Sequence, residues 1–509
     1  MKNLTVPDLL SRYQRWVETG EIQFLTKGSY QQERILKLLE EIHSDFTEAQ
    51  KKGSISDNLD WQKAHKTGRD LWHELASSAL NAIDAGSKGN SKLFQYLDAA
   101  TNFEDTLYGL EDYYRDHTLH SLWVYFIGEH ILRDHLPEKQ DSLNWYLFND
   151  IESETSLDMR GLLAEARERE EEICEKVNNR RDAIWCLMAL CHDLGYSLAK
   201  LDKLNEKVQG VLDFFDIPRF RRIGYTLDVE HHYIASQFLE LMAMDVRIVP
   251  SSDAKQVLIK CYRDDSTYWR LCRALEKKQH GILSSYLIYK ILGIFADTSV
   301  RGPAEEWGLE DEEAVDNIIR GDILYAIAQH EFDFAHLDCL NSLADILIIA
   351  DQLEEFSRYG RPMLTRKYHD TTAEASIAFD RSSNGKDIDI CVGYEVAEHH
   401  NLSVFFKRKA EELCKFYSLK QSHSEMPGKR QVYAIKSIKM TAEQNEKKHF
   451  IQFFRDLGDK AFLPAVSFEE QKLSEGEYPI ECIDDKIYVE YAKGKKMSLD
   501  EWFDKYIKK

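Results

Sequence analysis

His192 and Asp193 stand side by side in RDAIWCLMALCHDLGYSLAK, residues 181–200, where an almost wholly apolar run presents an imidazole and a carboxylate together. Ile184, Leu187, Met188 and Cys191 recur at i, i+3, i+4 and i+7, and Trp185 and Ala189 keep the opposite face apolar too. That pattern predicts a helix buried in a large core. Buried without partners, each polar group would cost on the order of several kcal/mol, and a shared cation removes the cost. The alternative is an imidazole–carboxylate hydrogen bond inside a core. Gly195 directly after His-Asp-Leu favours the cation, because a residue without a side chain lets another backbone or a ligand approach.

Four further apolar helices are predicted, each with one inward polar residue of ligand type. In RDHTLHSLWVYFIG, His117 and His120 are one turn apart, and His120 shares its face with Val124, Ile127 and Ile131. His280 opens HGILSSYLIYKIL on a face continued by Ser284, Leu287 and Ile291, with two serines that permit close helix packing. His330 lies on the stripe of Ile323 and Ile327, and Asp351 on that of Ala344 and Leu347.

In this order the residues resemble the HD-domain superfamily of metal-dependent phosphohydrolases, whose signature is H…HD…D, extended to H…HD…H…H…D in two-metal members. The matching positions are His120, His192, Asp193, His280, His330 and Asp351. HSLWV, HGILSS and IADQL are similar to the family's ligand-bearing helices, and the resemblance covers Asp105–Arg358. It implies hydrolysis of a phosphoester or phosphoanhydride, such as a nucleotide or cyclic nucleotide. The G-Y-P extension of the cyclic-dinucleotide branch is absent, since His330 is followed by Glu-Phe-Asp-Phe, which argues against that substrate.

Imidazole with carboxylate suits Mn²⁺, Fe²⁺, Co²⁺, Zn²⁺ or Mg²⁺ and calls for no thiolate. Six ligands suggest two ions. Adjacent helical residues diverge by about 100°, so a bridging Asp193 is expected, with His120, His192 and Asp351 on one ion and His280 and His330 on the other. Such a pair lowers the pKa of a bridging water and neutralises charge on a phosphoryl group. Asp193 and His117 are therefore the catalytic candidates, His117 as a proton donor or as an orienting residue. Arg115 and Lys200 are candidates for binding phosphate. His231 and His232 in LDVEHHYIASQFLELM are the competing ligand pair; the cleaner apolar helix of His280 is preferred, which leaves those two to line substrate access or the surface.

The elements that must hold this set make a mainly α protein. Three regions are expected: an N-terminal helical lobe over 1–100, an all-helical HD-type core over 101–360, and a small α+β domain over 361–509, regulatory or concerned with assembly. The lobe carries amphipathic runs at Gln31–Phe46 and Asp70–Ala85 and would pack on the core or on a second subunit, so a homo-oligomer is compatible with the sequence. After residue 360, alternating runs joined at Asn384-Gly385 predict a hairpin. A helix at Leu402–Tyr417, a strand in QVYAIKSIKM, a helix at Ala442–Leu457 and a strand near Lys486–Tyr491 follow.

The 509 residues are 43% hydrophobic, enough for sizeable cores, and carry a net charge of −22, which argues against a broad nucleic-acid or anionic-lipid surface. No run approaches the roughly 20 apolar residues of a membrane span, and the N-terminus lacks a signal-peptide core, so a cytoplasmic location is expected. Nine scattered cysteines contain no C-x-x-C. Cys186, Cys191 and Cys261, in apolar runs read as helical, are expected to act as small buried hydrophobes. The expected partner is a small-molecule phosphate ester. The competing function class is a metal-bound sensing or scaffold module that signals through the C-terminal domain.

Overall fold

In the computed structural model the described residues are 5–107 (except 54 and 87), 116–135, 147–149, 157–215, 223–224, 229–295 (except 252–254) and 308–356 (except 333–339 and 341), followed by 373–381, 387–398, 401–416, 434–455 (except 446), 464–467, 477–483, 486–492 and 494–506. Arg115, the Asn384-Gly385 turn and the segment between Phe356 and Ala373 lie outside them.

Helices dominate up to Leu353, and a mixed α+β region follows, so the chain is mainly α with a C-terminal α+β part. The N-terminal helices Val6–Thr19, Trp61–Ile83 and Asn90–Leu107 pack on the helices that carry the polar residues, and Tyr30–Lys51 packs mainly on the first two of these, touching helix His117–His130 through Phe46 and Trp123. Small residues and buried polar ties explain the closeness. At Gly128 a Cβ would stand 1.8 Å from the Trp185 ring, so that crossing leaves no room for a side chain, whereas at Gly68 it would stand 2.7 Å from a Leu119 methyl, the flexible end of a side chain that has only to shift. The Trp72 indole N–H donates to the Leu190 carbonyl at 3.1 Å, and the Tyr96 hydroxyl donates to that of Leu194 at 2.5 Å. A buried charge cluster adds a further tie. Arg133 binds both Glu129 and Asp182, and Asp182 also accepts from Arg181 and from the Gln23 amide.

Within the helical core a three-stranded sheet appears that the sequence reading did not foresee. Leu147–Asn149 runs parallel to Met244–Pro250, which pairs antiparallel with Val257–Arg263. Cys261, read as helical, is buried on the last of these strands.

Among the described residues the C-terminal sheet has eight strands, each beside the next in sequence. Ala373–Arg381 and Asp387–Val396 form the expected antiparallel pair, helix Leu402–Phe416 follows, and Ala434–Gln444 returns parallel to Asp387–Val396. The helix expected at Ala442–Leu457 is instead the end of one strand and the strand Lys447–Arg455. Asn445, at φ +56°, turns the chain between them, and Asn tolerates this left-handed conformation better than most residues. Once the chain has reversed, alternation puts Ile451 opposite Met440 with both buried, a pairing that outweighs local helix preference. The sheet lies over an apolar face of helix Leu343–Leu353, where Ile348, Ile349 and Leu353 line a small apolar pocket together with Ile390, Val392 and Ile438. No helix among the described residues is long and apolar enough to cross a membrane.

Candidate metal centre

Five helices deliver the six residues to one place, and they do so mostly with helix ends. Helix Arg181–Cys191 stops just before the pair: His192 is its C-cap and Asp193 lies in the following turn. His330 caps helix Asp311–Gln329 in the same way. His280 is the first residue of helix His280–Ile291, His120 lies in the first turn of His117–His130, and Asp351 lies in the last turn of Leu343–Leu353. Three helix C-termini and two N-termini thus meet at the centre, so the dipoles oppose one another and the charge balance there rests on the side chains.

Glycine makes the convergence possible. A Cβ on Gly195 would stand 2.5 Å from the His280 carbonyl oxygen, and one on Gly281 would stand 2.8 Å from the Ile327 carbonyl oxygen. The Gly195 amide donates to Ser284 Oγ at 2.7 Å, so one of the two serines holds this approach.

All four histidines are anchored through Nδ1. His192 donates to the Ala189 carbonyl at 2.8 Å and His330 to the Ile327 carbonyl at 2.6 Å. The Nδ1 of His120 lies 2.6 Å from Glu354 Oε2, and that of His280 lies 2.7 Å from Glu331 Oε2. A carbonyl or carboxylate can only accept, so Nδ1 carries the proton and the neutral ring offers its lone pair at Nε2. These nitrogens face each other, at 3.2 Å between His120 and His192 and 3.1 Å between His280 and His330. Two lone pairs at that distance repel unless a proton on one ring or a metal ion lies between them. Ligand bonds of about 2.1 Å meeting at 90–109° would place two nitrogens about 3.0–3.4 Å apart, which fits both pairs.

Asp193 spans the two pairs. Its Oδ2 lies 3.4 Å from Nε2 of both His120 and His192, whereas Oδ1 lies 3.1 Å from His280 and 3.5 Å from His330. Asp351 Oδ1 joins the first group, 3.0 Å from His120 Nε2. Two overlapping groups result, each suited to a metal ion: His120, His192 and Asp193, then Asp193, His280 and His330. The donor set of imidazole and carboxylate oxygen matches the chemistry of borderline divalent cations.

The electrostatics agree. Burial, reinforced by His330 and His120, lowers the His192 pKa to about 4, which keeps the ring neutral. Burial would also raise the pKa of Asp193, but His192, His280 and His330 hold it well below the usual range. At His280 burial disfavours the charge, yet hydrogen bonds to Asp193 and Glu331 lift the pKa to about 10. The surroundings thus favour a positive charge at this point, which a proton on His280 or a bound cation supplies.

The other sequence candidates divide. His117 is buried, 6.5 Å from His120 between ring centroids, and its ring lies against Tyr196 at 3.9 Å. Lys200 places its ammonium 4.3 Å from the Tyr196 ring centre. With Trp72, Thr101, Ser121 and Ser197, His117 lines a narrow pocket that reaches Asp193. His232 is exposed, on helix Val229–Met242, and the side chain of its neighbour His231 lies outside the described residues, as does Arg115. Sequence reasoning missed Tyr196, Glu331 and Glu354. Glu354 immediately follows a ligand helix and Glu331 immediately follows His330, a signal that was readable only as ordinary surface charge.

No family model, no curated protein and no solved structure matches this chain. What stands is a mostly helical fold that gathers histidine and aspartate groups able to bind a metal ion.

Proposed function

We propose that the protein is a two-metal phosphohydrolase of the HD type, acting on a nucleotide or a related phosphate ester. The observation that carries the reading is Asp193, whose two oxygens face separate histidine pairs with every Nε2 directed inward. A second support is the order of the ligands along the chain, which follows the extended HD signature. In this reading His120, His192, Asp193 and Asp351 would hold one cation and Asp193, His280 and His330 would hold the other. Divalent cations held there would supply Lewis acidity, lowering the pKa of a water and neutralising charge that builds on phosphoryl oxygens.

The protein's own groups do the rest. Anchoring each Nδ1 fixes the ring orientation and leaves Nε2 unprotonated for a ligand bond. Tyr196, against His117, and Lys200, against Tyr196, would receive the anionic end of a substrate, and His117 would hold or donate a proton to a leaving oxygen. In this reading residues 101–360 form the hydrolytic core, and residues 1–100 contribute Trp72, Leu97 and Ala100 to the pocket beside it.

The test is elemental analysis of purified protein, followed by turnover of mononucleotides, deoxynucleoside triphosphates, cyclic nucleotides and bis(p-nitrophenyl) phosphate with Mn²⁺, Mg²⁺, Co²⁺, Fe²⁺ or Zn²⁺. Metal-dependent release of phosphate or of p-nitrophenol is the expected result. A metal-loaded chain that turns over none of them supports the sensing-module reading instead, and a folded chain that binds no divalent ion overturns both.

A further inference from the structure

Glu354 and Glu355 are consecutive, both fully buried, and directed to opposite sides of the chain. Glu354 leaves helix Leu343–Leu353 in an extended conformation, φ −75° and ψ 110°, and in extended backbone successive side chains point apart. One side chain therefore reaches inward to Nδ1 of His120. The other reaches outward to Lys409 on helix Leu402–Phe416 of the C-terminal α+β part. Lys409 is itself only 1% exposed, and its ammonium also binds Glu412 Oε2 at 2.7 Å.

We propose that Lys409 is a positioning residue for the metal centre: by neutralising Glu355 inside the core it holds the adjoining Glu354 on His120, so that the C-terminal part sets the affinity for the ion held by His120, His192 and Asp351. This inference rests on the metal reading above.

The physical argument is one of desolvation. A carboxylate stays in a buried position when a buried cation faces it, and removal of one partner of such a pair is strongly destabilising. A Glu355 that has lost its lysine lowers its free energy by turning toward water. It cannot do so without moving the backbone it shares with Glu354, and Glu354 then leaves His120. A carboxylate that anchors a metal-binding histidine contributes about 10–100-fold in metal affinity. Charge compensation, rather than bulk, is what the lysine supplies, so neutralising both partners should restore the geometry. Replacing a whole buried ion pair by neutral groups is commonly tolerated.

The experiment measures Mn²⁺ affinity of the full-length chain by titration calorimetry, with electron paramagnetic resonance of bound Mn²⁺ as a second readout and circular dichroism as the check on folding. Wild type is titrated first; if it binds no Mn²⁺ and no other divalent ion, the metal reading fails and this inference with it. Given binding, Lys409→Met is expected to weaken it about tenfold or more, and Glu354→Gln to weaken it similarly. The double variant Lys409→Met/Glu355→Gln is expected to bind within about threefold of wild type. A folded Lys409→Met chain with unchanged affinity overturns the inference while leaving the metal reading intact. Should Lys409→Met not fold, the double variant decides alone: wild-type affinity supports the inference, and a folded double variant that binds as weakly as Glu354→Gln overturns it.

Discussion

Gly195 lies against the backbone of His280 so closely that a Cβ would stand 2.5 Å from the His280 carbonyl oxygen and 2.6 Å from the Ser284 amide nitrogen. Both obstacles are backbone, which cannot rotate away as a side chain would. Gly195→Ala must therefore separate the Asp193 turn from the His280 helix, at a cost of about 1–3 kcal/mol for overpacking. The expected outcome is a lower denaturation midpoint together with weaker metal binding, since the same displacement draws Asp193 Oδ1 from His280. Chemical denaturation and Mn²⁺ titration check it; unchanged values in both would show that the approach is looser than the geometry indicates.

Asp193 and Asp351 should behave differently. Asp193 faces both histidine pairs, whereas Asp351 faces only His120 and His192. Asp193→Ala is expected to lower the metal content from about two ions per chain to none, and Asp351→Asn to leave about one. His232→Ala, at an exposed position, should leave metal content and turnover unchanged. Mass spectrometry of the metals distinguishes the cases; an Asp351→Asn chain that has lost all metal would argue for a single shared site.

Glu129 supplies a pH dependence away from the metal centre. Its burial outweighs the pull of Arg133, and the negative charge of Asp182 adds to that burial, so its pKa rises to about 7 from an ordinary 4.5. A carboxyl group with a raised folded-state pKa contributes stability that is fully present below about pH 4.5 and is lost as pH rises through about 7. Between pH 5 and pH 8 wild type should lose about 2–3 kcal/mol relative to Glu129→Gln, which stays neutral throughout. Asp182 works in the opposite window: burial opposes its charge, but Arg133 and Arg181 hold its pKa below 3.8, so its contribution is present above that value and lost only in stronger acid. Urea denaturation of both chains across this range is the measurement. Parallel profiles would mean that Arg133 keeps Glu129 ionised at every pH tested.

The gathering of the candidate ligands was legible in one dimension because each of them interrupts an apolar helical stripe, and a lone His or Asp on such a stripe has few structural reasons to be there. His120, His192, Asp193, His280, His330 and Asp351 all carry that signature, and Gly195 carried the signal for close approach. The mainly α class and the hairpin after residue 372 followed from hydrophobic period in the same way. Periodicity failed at Ala442–Leu457, where short apolar runs fit either period and pairing with Met440 decided for strand. It failed as well for Met244–Pro250 and Val257–Arg263, which pair with each other across a short connection and take a third strand, Leu147–Asn149, from elsewhere in the chain.

Tertiary structure alone decided which groups anchor the candidate ligands. Glu354 is 234 positions from His120, and nothing local separates it from any other glutamate after a helix. Lys409 looks in sequence like one of many solvated charges, and only the packing of the α+β part on helix Leu343–Leu353 buries it against Glu355. The physical reason is that ligand identity is a property of a residue and its own helix face. Orientation, tautomer and charge compensation belong instead to contacts between elements, and those exist only after the chain has folded.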